Sequence, residues 1–124
     1  MFIKTRKLLK HLTFIRKPVL VKRIVSGYYN TKIRKRDILR SIELAITYDC
    51  MLKCHKCYSA NLYKGEVPNL SVNEIRDIVS EAMELGIIHI NITGGEPLIR
   101  KDIYDIIRAC QPDKIMVSLV TNAI

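Results

Sequence analysis

No stretch of these 124 residues approaches the roughly 20 consecutive apolar positions that a membrane-spanning helix needs. The opening run MFIKTRKLLKHLTFIRKPVL also lacks the unbroken apolar core of a secretory signal, because Lys10, His11, Arg16 and Lys17 interrupt it. Acidic residues are scarce at that end. Residues 1–40 hold Asp37 alone against 13 Lys/Arg, a net charge of +12, while the remaining 84 residues sum to −3. The overall charge of +9 therefore describes a leader segment and not the domain behind it. Such a leader is either a solvated helical face or a contact for nucleic acid or anionic lipid. Cysteine is sparse too, at four residues. Without a secretory signal, the expected location is a reducing cytoplasm, where clustered cysteines serve as metal ligands more often than as disulfides.

What is present divides the chain near residue 40. Leu8, Leu9, Leu12 and Ile15 recur at helical spacing until Pro18, and a second short helical pattern runs through Leu20, Ile24 and Val25. Gly27 and the polar run YYNTKIRKRD then read as a connection. From residue 41 the pattern is strand (about Ile42–Thr47), loop, helix, strand (IIHINIT), loop, helix, strand (KIMVSLVTN). The first helix is well signed: Ser71 as N-cap with Glu74 three residues on, Ile75, Ile78, Val79, Ala82 and Leu85 as its apolar stripe, and Gly86 as its stop. The second helix carries Asp102 near its start and Pro112 past its end. Two successive βαβ units imply parallel strands.

Ile42, Leu44, Ile46 and Ile88, Ile90, Ile92 are expected to face the helices, with Glu43, Ala45, Thr47 and His89, Asn91, Thr93 on the other side. A doubly wound sheet is apolar on both faces. Small and polar residues on one face fit the interior of a barrel, whose site lies at the C-terminal ends of its strands. Both unusual motifs sit there: the three cysteines of CMLKCHKCY (Cys50, Cys54, Cys57) and the Gly-Gly turn of GGEP.

Three clustered thiols can hold three irons of a cubane cluster and leave the fourth iron open, or can belong to a zinc site completed by His55 or Cys110. Adjacent glycines permit close backbone approach, Glu96 accepts charged hydrogen bonds, and Pro97 stiffens the turn. Cys110 reads as a small buried hydrophobe. His89 reads as a satisfied interior polar residue, Tyr58 as packing beside the cysteine loop, and Glu43 as a partner in an ion pair or hydrogen bond.

TYDCMLKCHKCY after a first strand, ITGGEPL after a second and LVTNA closing a third resemble, in that order, the radical S-adenosylmethionine (radical SAM) superfamily. The resemblance covers about residues 41–124. It implies an α/β fold, the N-terminal half of a partial (β/α)6 TIM-like barrel of about three parallel strands and two helices, preceded by a basic helical leader over residues 1–40. It also implies a [4Fe–4S] cluster on Cys50, Cys54 and Cys57. S-adenosylmethionine would lie against Gly94, Gly95, Glu96 and Pro97, with Asn122 near it, and an external electron donor such as a flavodoxin or ferredoxin would reduce the cluster. Reductive cleavage to a 5′-deoxyadenosyl radical, followed by hydrogen-atom abstraction from a peptide or small molecule, is the implied activity. CMLKCHKCY is especially similar to members that carry a C-terminal domain for further iron–sulfur clusters.

The sequence departs from the family in three respects. Lys56 precedes the third cysteine where an aromatic is common, and TNA replaces TNG. The chain is also shorter than a whole barrel, so a truncated, catalytically incomplete chain is expected. The competing expectations are a zinc-binding interaction module with a nucleic-acid- or protein-contacting leader, and a non-catalytic remnant that folds with a partner.

Overall fold

The computed structural model describes residues 17–57, 59 and 68–123. The helix expected through Leu8–Ile15 and the packing of Tyr58 lie outside those residues. The described elements run α1 (Pro18–Lys32), β1 (Ser41–Ala45), α2 (Val72–Glu84), β2 (His89–Thr93), a 3-10 turn (Pro97–Ile99), α3 (Ile103–Ala109) and β3 (Met116–Leu119). The strands form one parallel sheet in the order β1-β2-β3, with Leu44 opposite Ile92 and Ile92 opposite Leu119. Parallel neighbours need a crossover between them, and α2 and α3 supply it.

Alternation along the strands decides where the core sits. Leu44, Ile46, Ile90 and Ile92 pack against Ile75, Val79 and Ala82 of α2 and Ile103, Ile106 and Ala109 of α3. Each fully buried Ile or Leu contributes about 1.5–3 kcal/mol of transfer free energy, so this one-sided core carries most of the fold. The other face of the sheet is polar, as expected. There His89 Nε2 lies 2.8 Å from Ser118 Oγ, which links β2 to β3. Glu43 is exposed and makes neither an ion pair nor a hydrogen bond among the described residues, because that side of the sheet is open.

Ser71 caps α2 by the anticipated reciprocal arrangement: its hydroxyl accepts from the Glu74 amide at 3.3 Å, and Glu74 Oε2 accepts from the Ser71 amide at 2.8 Å. Two positions depart from the expected stripes. Leu85 is 62% exposed, because α2 ends at Glu84 and Gly86, at φ 105°, turns the chain away; half-buried Met83 packs on the core instead. Ile87 and not Ile88 is fully buried, since strand alternation starts only at His89.

The larger correction concerns α1. The expected connection beginning at Gly27 is helix up to Lys32. Thr31 Oγ1 donates to the Gly27 carbonyl at 2.9 Å, and buried Gly27 leaves room for the Arg40 side chain, which a Cβ there would strike. A glycine that normally weakens a helix is retained here as a packing notch. Leu20 is buried on the same side. Lys17 Nζ donates to the Pro112 carbonyl at 2.6 Å, and Arg23 donates to the carbonyls of Ile87 (3.2 Å) and Met83. These acceptors lie at the end of α2 and just ahead of β2 and β3. Helix α1 is thereby seated at the N-terminal ends of the strands, and Arg23 satisfies carbonyls where the α2 dipole favours a cation.

Candidate functional site

The opposite, C-terminal ends of the strands are held together by backbone. Beyond β1 and β2 the Ile46 amide donates to Thr93 O at 3.0 Å, the Gly95 amide to Thr47 O at 2.8 Å and the Glu96 amide to Asp49 O at 2.8 Å. These bonds strap the segment leading into Cys50 onto the Gly-Gly turn. Both glycines are required by this approach. Gly94 sits at φ 148°, and a Cβ on it would strike the Thr47 carbonyl; one on Gly95 would strike the carbonyls of Tyr48 and Asp49. Thr47 is buried, and its hydroxyl accepts from the Asp49 amide at 3.1 Å, which fixes the bend two residues before Cys50.

Glu96 ties the third strand to this turn. The residue is 3% exposed; its Oε1 accepts from the Leu98 amide (3.0 Å) and the Thr121 hydroxyl (2.7 Å), and its Oε2 from the Asn122 amide (2.8 Å). Burial raises its pKa, but the bonds from Thr121, the Asn122 amide and the Leu98 amide together outweigh burial and hold it below the ordinary carboxylate value. It is therefore an ionised carboxylate. An ionised carboxylate has about four acceptor positions; among the described residues three are used, and one on Oε2 is left for a further donor. A small cleft lined by Cys50, Met51, Leu52, Glu96 and Asn122 opens beside it. Pro97 is buried at the start of the 3-10 turn, where its missing N–H costs no bond.

Asn122 thus reaches the site through its backbone, and its side chain is exposed. Ala123 adopts φ 56°, a left-handed conformation that glycine takes freely, so replacing TNG by TNA places strain at Ala123 itself.

Two contributors were missed in the sequence. Thr121 is one. Arg100, 10% exposed, is the other: Nε and one Nη hold Asp102 in a two-point ion pair (2.8 and 2.5 Å), while the second Nη donates to the carbonyls of Ile46 (3.0 Å) and Leu70 (2.8 Å). The hydrogen bond from Arg100 lowers the Asp102 pKa, and the same bond raises that of Arg100. One side chain so joins the end of β1, the approach to α2 and the turn after Pro97. The only sequence signal was an Arg and an Asp two residues apart, which read as an ordinary helix start.

Cys50 and Cys54 are exposed and Cys57 is half-buried, and none of the three is in a disulfide. The Leu52 amide donates to Cys50 Sγ at 3.4 Å, and Cys57 Sγ lies 3.1 Å from Ser59 Oγ. Among the described residues, no three Cys, His, Asp or Glu side chains are gathered around one point as a metal would require. The donor set nonetheless fits an iron–sulfur cluster: three thiols on one accessible loop whose base is fixed beside Glu96, with binding free energy available to draw the loop together. Cys110 does not belong to the set. It closes α3 inside the core, where burial pushes its thiol pKa up to about 11. Packed in the core at the end of α3, it stands apart from the exposed loop that carries the other three thiols.

Comparisons with known proteins agree with this geometry. The description Radical SAM superfamily matches residues 44–124. A probable GTP 3′,8-cyclase of Methanococcus vannielii is 42% identical over 87 residues, which is 69% of this chain and 29% of that protein. A probable GTP 3′,8-cyclase of Pyrococcus abyssi is 40% identical over 82 residues, 66% of this chain and 26% of that one. Streptococcus suis SuiB, solved in complex with S-adenosylmethionine and with its precursor peptide SuiA, superposes with TM-scores of 0.61 and 0.60. The identities are 28% and 27%, and the alignments cover 79% and 78% of this chain but 23% and 22% of SuiB. The chain spans under a third of the length of the curated relatives it matches. With its parallel α/β half-barrel and its motifs on the strand ends, the chain belongs to the radical SAM superfamily.

Proposed function

We propose that residues 41–124 carry the cluster- and cofactor-binding part of a radical SAM enzyme, and that residues 1–40 form a basic helical leader attached to it. The observation that carries this reading is the backbone strap between Thr47–Asp49 and Gly94–Glu96, which fixes the root of the cysteine loop beside the buried carboxylate. Cys50, Cys54 and Cys57 would hold three irons of a [4Fe–4S] cluster. Gly94, Gly95 and Glu96 would receive the ammonium group of S-adenosylmethionine, for which the open acceptor position on Glu96 Oε2 is suited. Pro97 would hold that turn rigid, and Asn122 would border the cofactor. Together these groups, when bound, would supply reductive cleavage of S-adenosylmethionine and removal of a hydrogen atom from substrate.

The residues of this chain keep Glu96 ionised, hold the strand ends in fixed register and leave the thiols accessible. An external one-electron donor such as a flavodoxin or ferredoxin would approach the exposed Cys50–Cys54 side. The names of the relatives refer to GTP in one case and a precursor peptide in the other. A peptide or small molecule with an activatable C–H bond is accordingly the substrate class. Exposed free thiols favour a reducing compartment, the cytoplasm. No described helix is long and apolar enough to cross a membrane.

Anaerobic reconstitution with iron and sulfide tests the cysteine assignment. Wild type and Cys110→Ala are expected to bind about four irons per chain. Cys50→Ser, Cys54→Ser and Cys57→Ser are expected to lose most of that iron. One tightly bound zinc in place of iron and sulfide, or equal iron in all variants, would contradict it.

A further inference from the structure

The outer face of α1 plays no part in the strand-end site. Its inner face is engaged through Leu20, Arg23 and Gly27. On the opposite side stand Val21, Val25, Tyr28 and Tyr29, spaced i, i+4, i+7 and i+8, with Ile33 just past the helix end. All are exposed, Val25 at 62% and Tyr28 and Ile33 at 64% each. Around them lie exposed Lys22, Lys32, Arg34, Lys35 and Arg36, and residues 17–36 contain no acidic residue. None of these five cations is in an ion pair among the described residues. Arg34 stacks over the Tyr29 ring, 5.6 Å from its centre. Asp37 and Glu84 are the acidic neighbours at the edge of the patch.

A solvated basic face would carry polar side chains between its charges. A nucleic acid backbone would meet the charges and leave Val21, Val25 and Ile33 wet. An anionic bilayer surface takes both kinds of group: valine, isoleucine and tyrosine enter the headgroup boundary while lysine and arginine stay with the phosphates. We infer that the outer face of α1 docks on an anionic lipid surface. Because α1 is seated at the N-terminal ends of the strands, docking leaves the cysteine loop and the GGEP turn on the far side of the domain. The inference stands independently of the cluster.

The chain has no tryptophan, so Val25→Trp introduces a single reporter at the centre of the patch. The full chain is mixed with vesicles of phosphatidylcholine alone or blended with phosphatidylglycerol. Pelleting with the blended vesicles only, together with a blue shift of V25W emission, is the expected result. Val25→Glu and Tyr28→Glu, both at exposed positions, should abolish pelleting without altering the far-ultraviolet dichroism. Lys32→Ala, Arg34→Ala and Lys35→Ala should each weaken binding about fivefold, and added salt should weaken it further. Three results would overturn the inference. The wild-type chain could stay in solution with blended vesicles. V25W emission could already be blue-shifted without lipid, which would mean that residues 1–16 or a second copy cover the face. V25E and Y28E could bind as wild type while a DNA duplex displaces the vesicles, which would make the patch a purely electrostatic, nucleic-acid contact.

Discussion

At the residue scale, Glu96 decides most, because one carboxylate joins the turn after β2 to the segment after β3. Glu96→Gln keeps the shape but turns an amide donor toward groups that also donate. Lost hydrogen bonds to a buried charged group cost about 1.5–3 kcal/mol in total stability, to be read from urea unfolding. The pH dependence follows from its lowered folded pKa. The stability it supplies is fully present above the unfolded carboxylate value of about 4.3 and is lost as pH falls through the lower folded value. The wild-type chain should therefore lose stability in acid more steeply than E96Q. A second expectation concerns Ala123: Ala123→Gly should stabilise the chain by about 1 kcal/mol, measured the same way, because φ 56° suits glycine. The sequence made the glycines legible as places of close backbone approach. It did not reveal that the backbone approached is the chain's own, residues 47–49. Thr121 was hidden for a similar reason: its partner lies 25 residues away and is recognised only once the strands are paired.

At the scale of elements, hydrophobic period and capping were enough to read three strands, α2 and α3, since local patterns specify them. The Ser71–Glu74 cap is the clearest case, being complete within four residues. Helix α1 was misread after Leu20–Val25 because Gly27 is locally a helix breaker; tertiary packing of Arg40 against it overrides that preference. Arg100 belongs to this scale as well, since it bridges elements 54 and 30 residues apart through their carbonyls. Arg100→Lys retains the charge but loses the fork that serves Asp102 and both carbonyls at once. It should destabilise by about 2–3 kcal/mol in chemical denaturation, and proteolysis should then cut earlier near residues 46–57. Equal stability of R100K and wild type would show that the charge alone matters.

At the scale of the whole molecule, chemistry is segregated between the two ends of one small sheet. The N-terminal ends of the strands receive α1 and its basic residues; the C-terminal ends carry thiols, glycines and a buried carboxylate. Between them the sheet buries one face on two helices and leaves the other polar, the pattern expected of a barrel interior. That arrangement was legible because the apolar residues alternate while the motifs fall on strand ends. Packing does not gather the three thiols into one donor set among the described residues; the proposed cluster would do so. The most direct measurement of the central claim is the electron paramagnetic resonance spectrum of the anaerobically reconstituted, reduced chain, with and without S-adenosylmethionine. A cluster signal that shifts when S-adenosylmethionine is added, and that fails to shift in Gly95→Val, is the predicted result. A cluster signal indifferent to S-adenosylmethionine in the folded wild-type chain would contradict the assignment of GGEP as the cofactor's half-site.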